Sequence, residues 1–142
     1  MAAESGFDFG GLDAFIQQSP FHQWLGVRLH RLDANGIALR LPWRPEFVSV
    51  AAIGYTHGGI LATLIDLAAD YAIAARIGRG APTVDLRVDY HKAAMPGPLL
   101  ATARVIKLGR TLSTAEAQVF DESGTALYAS GRGVYLTMTR ET

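Results

Sequence analysis

Between residues 60 and 77 the chain contains neither proline nor glycine, and Ala, Leu and Ile fill most positions. Such a breaker-free run predicts one long helix from Gly58 to about Ile77, roughly 28 Å long at 1.5 Å per residue. Gly78, Gly80 and Pro82 end it. The helix is apolar around most of its circumference, so it must be covered on most sides. A bilayer does not supply that cover. Asp66, Asp70 and Arg76 lie inside the run, and each costs about 2.5–3.5 kcal/mol near a bilayer centre. The rest of the chain therefore has to wrap the helix, and no membrane partner is expected.

The flanking sequence is strand-like. Residues 27–32 and 36–41 are separated by the hairpin signal Ala34-Asn35-Gly36. After the helix come four further runs, 83–91, 99–107, 112–121 and 126–138. The turns between them are Pro96-Gly97-Pro98, Leu108-Gly109-Arg110 and Glu122-Ser123-Gly124. The first of the four alternates. Val84, Leu86, Val88 and Tyr90 face one way, and Thr83, Asp85, Arg87 and Asp89 the other. Residues 1–10 read as a loose tail, 11–18 as a short helix ending before Ser19-Pro20, 21–25 as a further turn and 42–55 as a loop. This order predicts an α+β fold, a curved and mostly antiparallel sheet wrapped around one long central helix, which is the hotdog arrangement. Residues 1–19 form the tail and short helix, and 20–142 a single domain.

Composition narrows the chemistry. Thirteen basic and thirteen acidic residues give zero formal charge, which speaks against broad phosphate neutralisation and a nucleic-acid partner. There is no cysteine. Disulfides, a thiol nucleophile and Cys-based metal sites are excluded, and a reducing, cytoplasmic compartment fits. The N-terminus lacks the basic and apolar segments of a signal peptide. No histidine pair has metal-ligand spacing on the helix, so no metal is expected. His22 and His30 read as surface or loop residues.

Two features of the long helix invite chemistry. It opens on His57-Gly58-Gly59, where unpaired N–H groups and the helix dipole favour a polarised carbonyl or an oxyanion. The two glycines could equally serve only to turn the loop. Asp66 shares a small, polar helix face with Gly59, Ala62, Thr63 and Asp70. A carboxylate on a buried helix is paired, hydrogen-bonded or functional. Asp70 reads as pointing to a basic neighbour or to solvent, and His57 as orienting the loop. Phe15, Phe21 and Trp24 either line a pocket or pack the first helix. Gly58 and Asp66 are eight residues apart, about 12 Å along the axis, too far to serve one carbonyl. Two such helices antiparallel across a two-fold axis would pair Asp66 of one with Gly58 of the other.

The run Ile53-Gly54-Tyr55-Thr56-His57-Gly58-Gly59, with Asp66 seven residues on, resembles the hotdog thioesterases of the phenylacetic-acid-degradation (PaaI-like) type. So do residues 83–90, 107–112 and Ala129-Ser130-Gly131-Arg132-Gly133. The resemblance implies acyl-CoA thioester hydrolysis in a homo-oligomer, usually a dimer of dimers, with no cofactor beyond the CoA of the substrate. It implies that Gly58 offers its amide to the thioester carbonyl, with His57 beside it. Asp66 of the neighbouring subunit would act as nucleophile or water-activating base, and the Thr83 hydroxyl would place the water or the carboxylate. Gly59, Thr63, Tyr90, His91, Lys92, Lys107, Gly109, Arg110, Thr111 and Tyr135 would bind substrate or lie along the CoA groove. His91, Lys92, Arg87, Lys107, Arg110 and Arg132 form a candidate basic patch for the CoA phosphates. One position departs from the pattern: the family's Asn six residues before the His is Ala51 here. That departure motivates an alternative, a non-catalytic module that binds acyl-CoA; a purely structural oligomerisation domain is a third reading.

Overall fold

The computed structural model describes residues 6–139, so the first five residues of the expected tail lie outside the described residues. Helix α1 spans Phe9–Ile16 and α2 spans Pro20–Leu25. Strands β1 (Arg28–Asp33) and β2 (Gly36–Leu41) form the expected hairpin, and α3 spans Gly58–Ile77. Strands β3 (Thr83–Tyr90), β4 (Leu99–Lys107), β5 (Leu112–Asp121) and β6 (Leu127–Leu136) complete the chain. The six strands make one antiparallel sheet in the order β1-β2-β4-β5-β6-β3. It is the hotdog fold expected from the sequence.

The long helix, β4 and β5 have the expected bounds, while the first helix starts two residues early. Asp8 caps α1, accepting the Gly11 N–H at 2.7 Å, and a side-chain cap of that kind sets where a helix begins. At the other end of the chain, Thr137 and Met138 leave β6 because both their N–H groups go to Thr111 O. His22 is corrected from surface to core. It is 5% exposed, with Nδ1 2.8 Å from Ile16 O and its ring edge-on to Tyr71.

Helix α3 lies in the concave face of the sheet. Its buried residues include Leu61, Leu64, Ile65, Ala68, Ala69, Ala72 and Ile73. They meet a floor of small residues, among them Ala101, Ala115, Ala117 and Ala129. Burying each leucine or isoleucine contributes roughly 1.5–3 kcal/mol, and the alanine floor lets the helix axis come close. At Gly131 contact is closest: a Cβ there would stand 2.6 Å from Ile65 Cγ2 and 2.3 Å from Arg87 O.

Strand β3 is an edge, paired on one side only, with β6. Its pairing shifts between Thr83 and Asp85, leaving Val84 as a bulge. The expected alternation set Thr83 on the polar face with Asp85, Arg87 and Asp89. The bulge instead turns Thr83 to the helix side, opposite Tyr135, with Leu86, Val88 and Tyr90 following on that face. Periodicity alone does not reveal an inserted residue.

Candidate active site

The bulge delivers the Thr83 hydroxyl to Asp66. Thr83 Oγ1 donates to Asp66 Oδ1 at 3.0 Å, and Tyr135 Oη approaches the same oxygen at 3.0 Å. Tyr135 Oη also lies 3.0 Å from the Asp66 carbonyl oxygen. Tyr135 was expected along a CoA groove; it is instead fully buried and reaches Asp66 from beneath. Gly133 makes that possible, since a Cβ there would sit 2.2 Å from Tyr135 Oη. Burial, and secondly the Asp66 charge, push the Tyr135 phenol far up, so it remains a donor at any working pH. Asp66 Oδ2 has no hydrogen-bond partner among the described residues. One carboxylate oxygen is therefore pinned by two hydroxyls, and the other is free to accept a proton from a bound molecule.

At the start of α3 the N–H groups are allotted in a way that isolates one of them. His57 is the N-cap, and its Nδ1 accepts the Gly59 N–H at 2.8 Å. A nitrogen that accepts carries no proton, so the neutral ring is protonated on Nε2. The His57 carbonyl takes the Ile60 N–H at 2.9 Å. The Gly58 N–H is left without a partner among the described residues. Around it the peptides are held fast. Tyr90 Oη donates to Gly58 O at 2.8 Å and Thr63 Oγ1 to Gly59 O at 2.8 Å. The loop before it is tied by His57 N–H to Phe47 O and Thr56 N–H to Ala94 O, both 2.7 Å. A Cβ at position 58 would press on the Tyr90 ring at 3.3 Å. Ala51 lies in an exposed turn of this loop, and Thr56 Oγ1 is buried without a partner among the described residues.

Asp70 does not meet the basic group or solvent expected of it. Its Oδ1 is buried with no hydrogen-bond partner among the described residues. Burial, and secondly the charge of Asp66, push its carboxyl up to about 7, against the opposing effect of the Ala81 N–H. Burial, with Asp70 and Asp66 nearby, raises Tyr71 to about 12.

The expected basic patch divides in two. His91, bonded through Nε2 to Ser130 Oγ at 2.7 Å, and Lys92 follow β3 at its Tyr90 end, against Tyr128. Lys107 at the end of β4 and Gly109, Arg110 and Thr111 in the turn after it lie at the opposite end, near Thr83 and Tyr135. That turn is fixed by Ser113 and Thr137, whose hydroxyls reach Gly109 O at 3.2 and 2.7 Å. Arg87 and Arg132 face each other across β3 and β6 on the outer face of the sheet. Phe15 packs on Phe7 and Tyr71, whereas Phe21 and Trp24 stack on each other in the open. Gly59, Thr63 and Tyr90 gather at the helix start, and Tyr135 joins Thr83 at Asp66. The Gly131-Arg132-Gly133-Val134-Tyr135 pattern, two glycines and a tyrosine at period two, was the legible sign that a ring folds back over this strand.

Three surface concavities, of about 580, 500 and 450 Å³, are lined by neither Asp66 nor Gly58. No group of three or more His, Asp or Glu among the described residues could hold a metal ion. No helix among them is long and apolar enough to cross a membrane.

Comparison with known proteins agrees with this fold. A family model described as the thioesterase superfamily matches residues 53–128, more than half of the chain. The medium/long-chain acyl-CoA thioesterase YigI of Escherichia coli is 27% identical over 141 residues, covering 84% of this chain and 90% of that protein. Human acyl-coenzyme A thioesterase 13 is 37% identical over 84 residues, 57% of this chain and 59% of that one. A solved structure from the thioesterase superfamily superposes with a TM-score of 0.87 at 46% identity, covering 90% of this chain and 96% of the other. The sheet wrapped on α3, the motif that opens that helix and the extent of the match lead to one conclusion: this chain belongs to the thioesterase superfamily.

Proposed function

We propose that the protein hydrolyses acyl-CoA thioesters to free acid and CoA, at sites shared between two copies of the chain. The observation that carries this reading is the arrangement on α3: a carboxylate with one pinned and one free oxygen, and an unpartnered amide about 12 Å away on the same rod. Neither group alone makes an active site. Strand β3 joins Asp66 at its Thr83 end and Gly58 at its Tyr90 end. Two copies related by a two-fold axis beside this edge strand set Asp66 of one near Gly58 of the other. The same operation brings His91 and Lys92 of one copy toward Lys107 and Arg110 of the other, reuniting the divided cations as a groove for the CoA phosphates.

In this reading Asp66 Oδ2 takes a proton from water as the water oxygen attacks the thioester carbon. The partner's Gly58 N–H donates to the carbonyl oxygen as it becomes an oxyanion. The tetrahedral intermediate collapses, the C–S bond breaks, and the proton held by Asp66 passes to the departing sulfur. No cofactor takes part beyond the CoA of the substrate. Two such dimers form the assembly, and the cysteine-free chain suits a cytoplasmic setting.

Free-thiol release from short, medium, long and aromatic acyl-CoAs tests the proposal. Release from at least one class is expected; calorimetric binding of the esters with no thiol released over hours would instead establish a non-catalytic acyl-CoA module. Tyr135→Phe removes one of the two hydroxyls on Oδ1. It is expected to lower kcat about tenfold, the worth of one hydrogen bond to a charged group, with KM changed little. A rise in KM with kcat preserved would place Tyr135 in substrate binding instead.

A further inference from the structure

We propose that Arg44, set in the angle between the rings of Trp24 and Phe47, is a seat for the carboxylate of an apolar acid. The inference goes beyond thioester hydrolysis and does not depend on it. Among the described residues, five buried side-chain polar atoms lack a hydrogen-bond partner. Three of the five are Trp43 Nε1, Arg44 Nε and Arg44 Nη2. All three are donors and none can accept. Buried donors gathered on two successive residues call for an acceptor, and leaving a charged group unsatisfied is the costliest case.

The identity of the two arginine atoms sets the chemistry. Nε and Nη2 form one edge of the planar guanidinium, the edge that meets two oxygens side by side. Two other arginines of this chain use that edge on a carboxylate. Arg28 Nε and Nη2 reach Asp13 Oδ1 and Oδ2 at 3.4 and 2.6 Å. Arg40 Nε and Nη2 both reach Glu122 Oε1, at 3.3 and 2.8 Å. No described carboxylate takes the same edge of Arg44, and Glu46, two residues on, is exposed to solvent.

The surroundings define the rest of the ligand. The Arg44 guanidinium carbon lies 4.3 Å from the Trp24 ring centroid and 4.6 Å from that of Phe47, and those centroids are 6.3 Å apart. The two rings hold the cation by their π-faces and offer it no acceptor oxygen. Trp24 stacks on Phe21, and the pair is 55% and 48% exposed. An alkyl or aryl body covers such a pair. A lone cation among apolar rings matches a single negative charge, whereas a phosphate carries about two. Trp24 is the exposed half of the cover, and a rotamer change there uncovers the cation.

The chain's two tryptophans are Trp24 and Trp43, so intrinsic emission reports on this place. The full-length protein is titrated with sodium octanoate and sodium benzoate, each matched by its uncharged amide, with circular dichroism to confirm the fold of variants. Both acids are expected to give a saturable emission change, with the amides weaker by about tenfold or more. Arg44→Gln is expected to weaken octanoate binding by about tenfold or more. Arg44→Lys keeps the charge and loses the fork, and is expected to bind roughly fivefold more weakly than wild type. A wild type with no saturable change for either acid overturns the seat and leaves the donors to ordered water. Equal affinity for acid and amide overturns carboxylate recognition; this comparison needs no variant and stands even where Arg44→Gln fails to fold. Full affinity in a folded Arg44→Gln protein places the acid elsewhere, and full affinity in Arg44→Lys overturns the fork.

Discussion

Asp66→Asn is expected to lower kcat by roughly 10²–10⁴-fold on every accepted ester while leaving the fold and the oligomer intact. That range is what a positioned general base contributes. Asparagine is the informative substitution because its Oδ1 still accepts from Thr83 and Tyr135, at 3.0 Å each in the native chain. Only the free oxygen is replaced, by an amide nitrogen that cannot take a proton. Alanine would take the side-chain acceptor from both hydroxyls, leaving the exposed Thr83 to water and Tyr135 to the residue-66 carbonyl 3.0 Å away, so a loss of activity would mix with a change in how the site is held. The measurement is single-turnover thiol release with equilibrium sedimentation alongside. Near-normal turnover by a folded Asp66→Asn oligomer would remove Asp66 from the chemistry and leave it a structural acceptor.

The second large effect concerns stability. The Asp70 carboxyl is pushed from 3.8 to about 7 in the folded chain, first by burial and then by Asp66. Between those two values the folded state keeps a proton that the unfolded state gives up. Stability therefore falls as pH rises, by about 1.4 kcal/mol per pH unit, and levels off above the folded value. The span amounts to about 4 kcal/mol. Asp70→Asn removes this slope. The variant is expected to match wild type near pH 4 and to exceed it near pH 8, with a melting temperature higher by roughly 10 °C. Thermal melts at pH 4, 6 and 8 check it. Parallel melting curves across that range would mean that assembly gives the Asp70 carboxylate a partner.

The sequence announced its frame through contrast. A breaker-free, Ala-rich helix among alternating strands has few ways to be covered, and the bounds of α3, β4 and β5 followed from glycine and proline punctuation alone. What escaped were features made by contact across the fold. The Val84 bulge depends on how β3 lies on β6, and it reverses which way Thr83 points. His22 is polar in isolation, yet the Ile16 carbonyl and the Tyr71 ring make it a core residue. The resemblance set Tyr135 along a CoA groove, whereas Gly133 gives its ring room to reach Asp66. Asp66 and Gly58 stood out because a carboxylate and a glycine pair are conspicuous on an apolar helix. Their supporting hydroxyls belong to strands far along the chain, where Thr and Tyr are commonplace.

The 20-residue length of α3 also constrains how such a chain can change. In the proposed two-copy arrangement the helix is a rigid spacer with half of one site at each of two points. A single residue inserted between Gly58 and Asp66 would rotate everything beyond it by 100° and advance it by 1.5 Å. Asp66 would swing away from Thr83 and Tyr135, and Ile65 away from Gly131. In a symmetric pair the error would strike both sites at once. The length of α3 is thus expected to tolerate insertion far less than that of a turn such as Glu122-Ser123-Gly124.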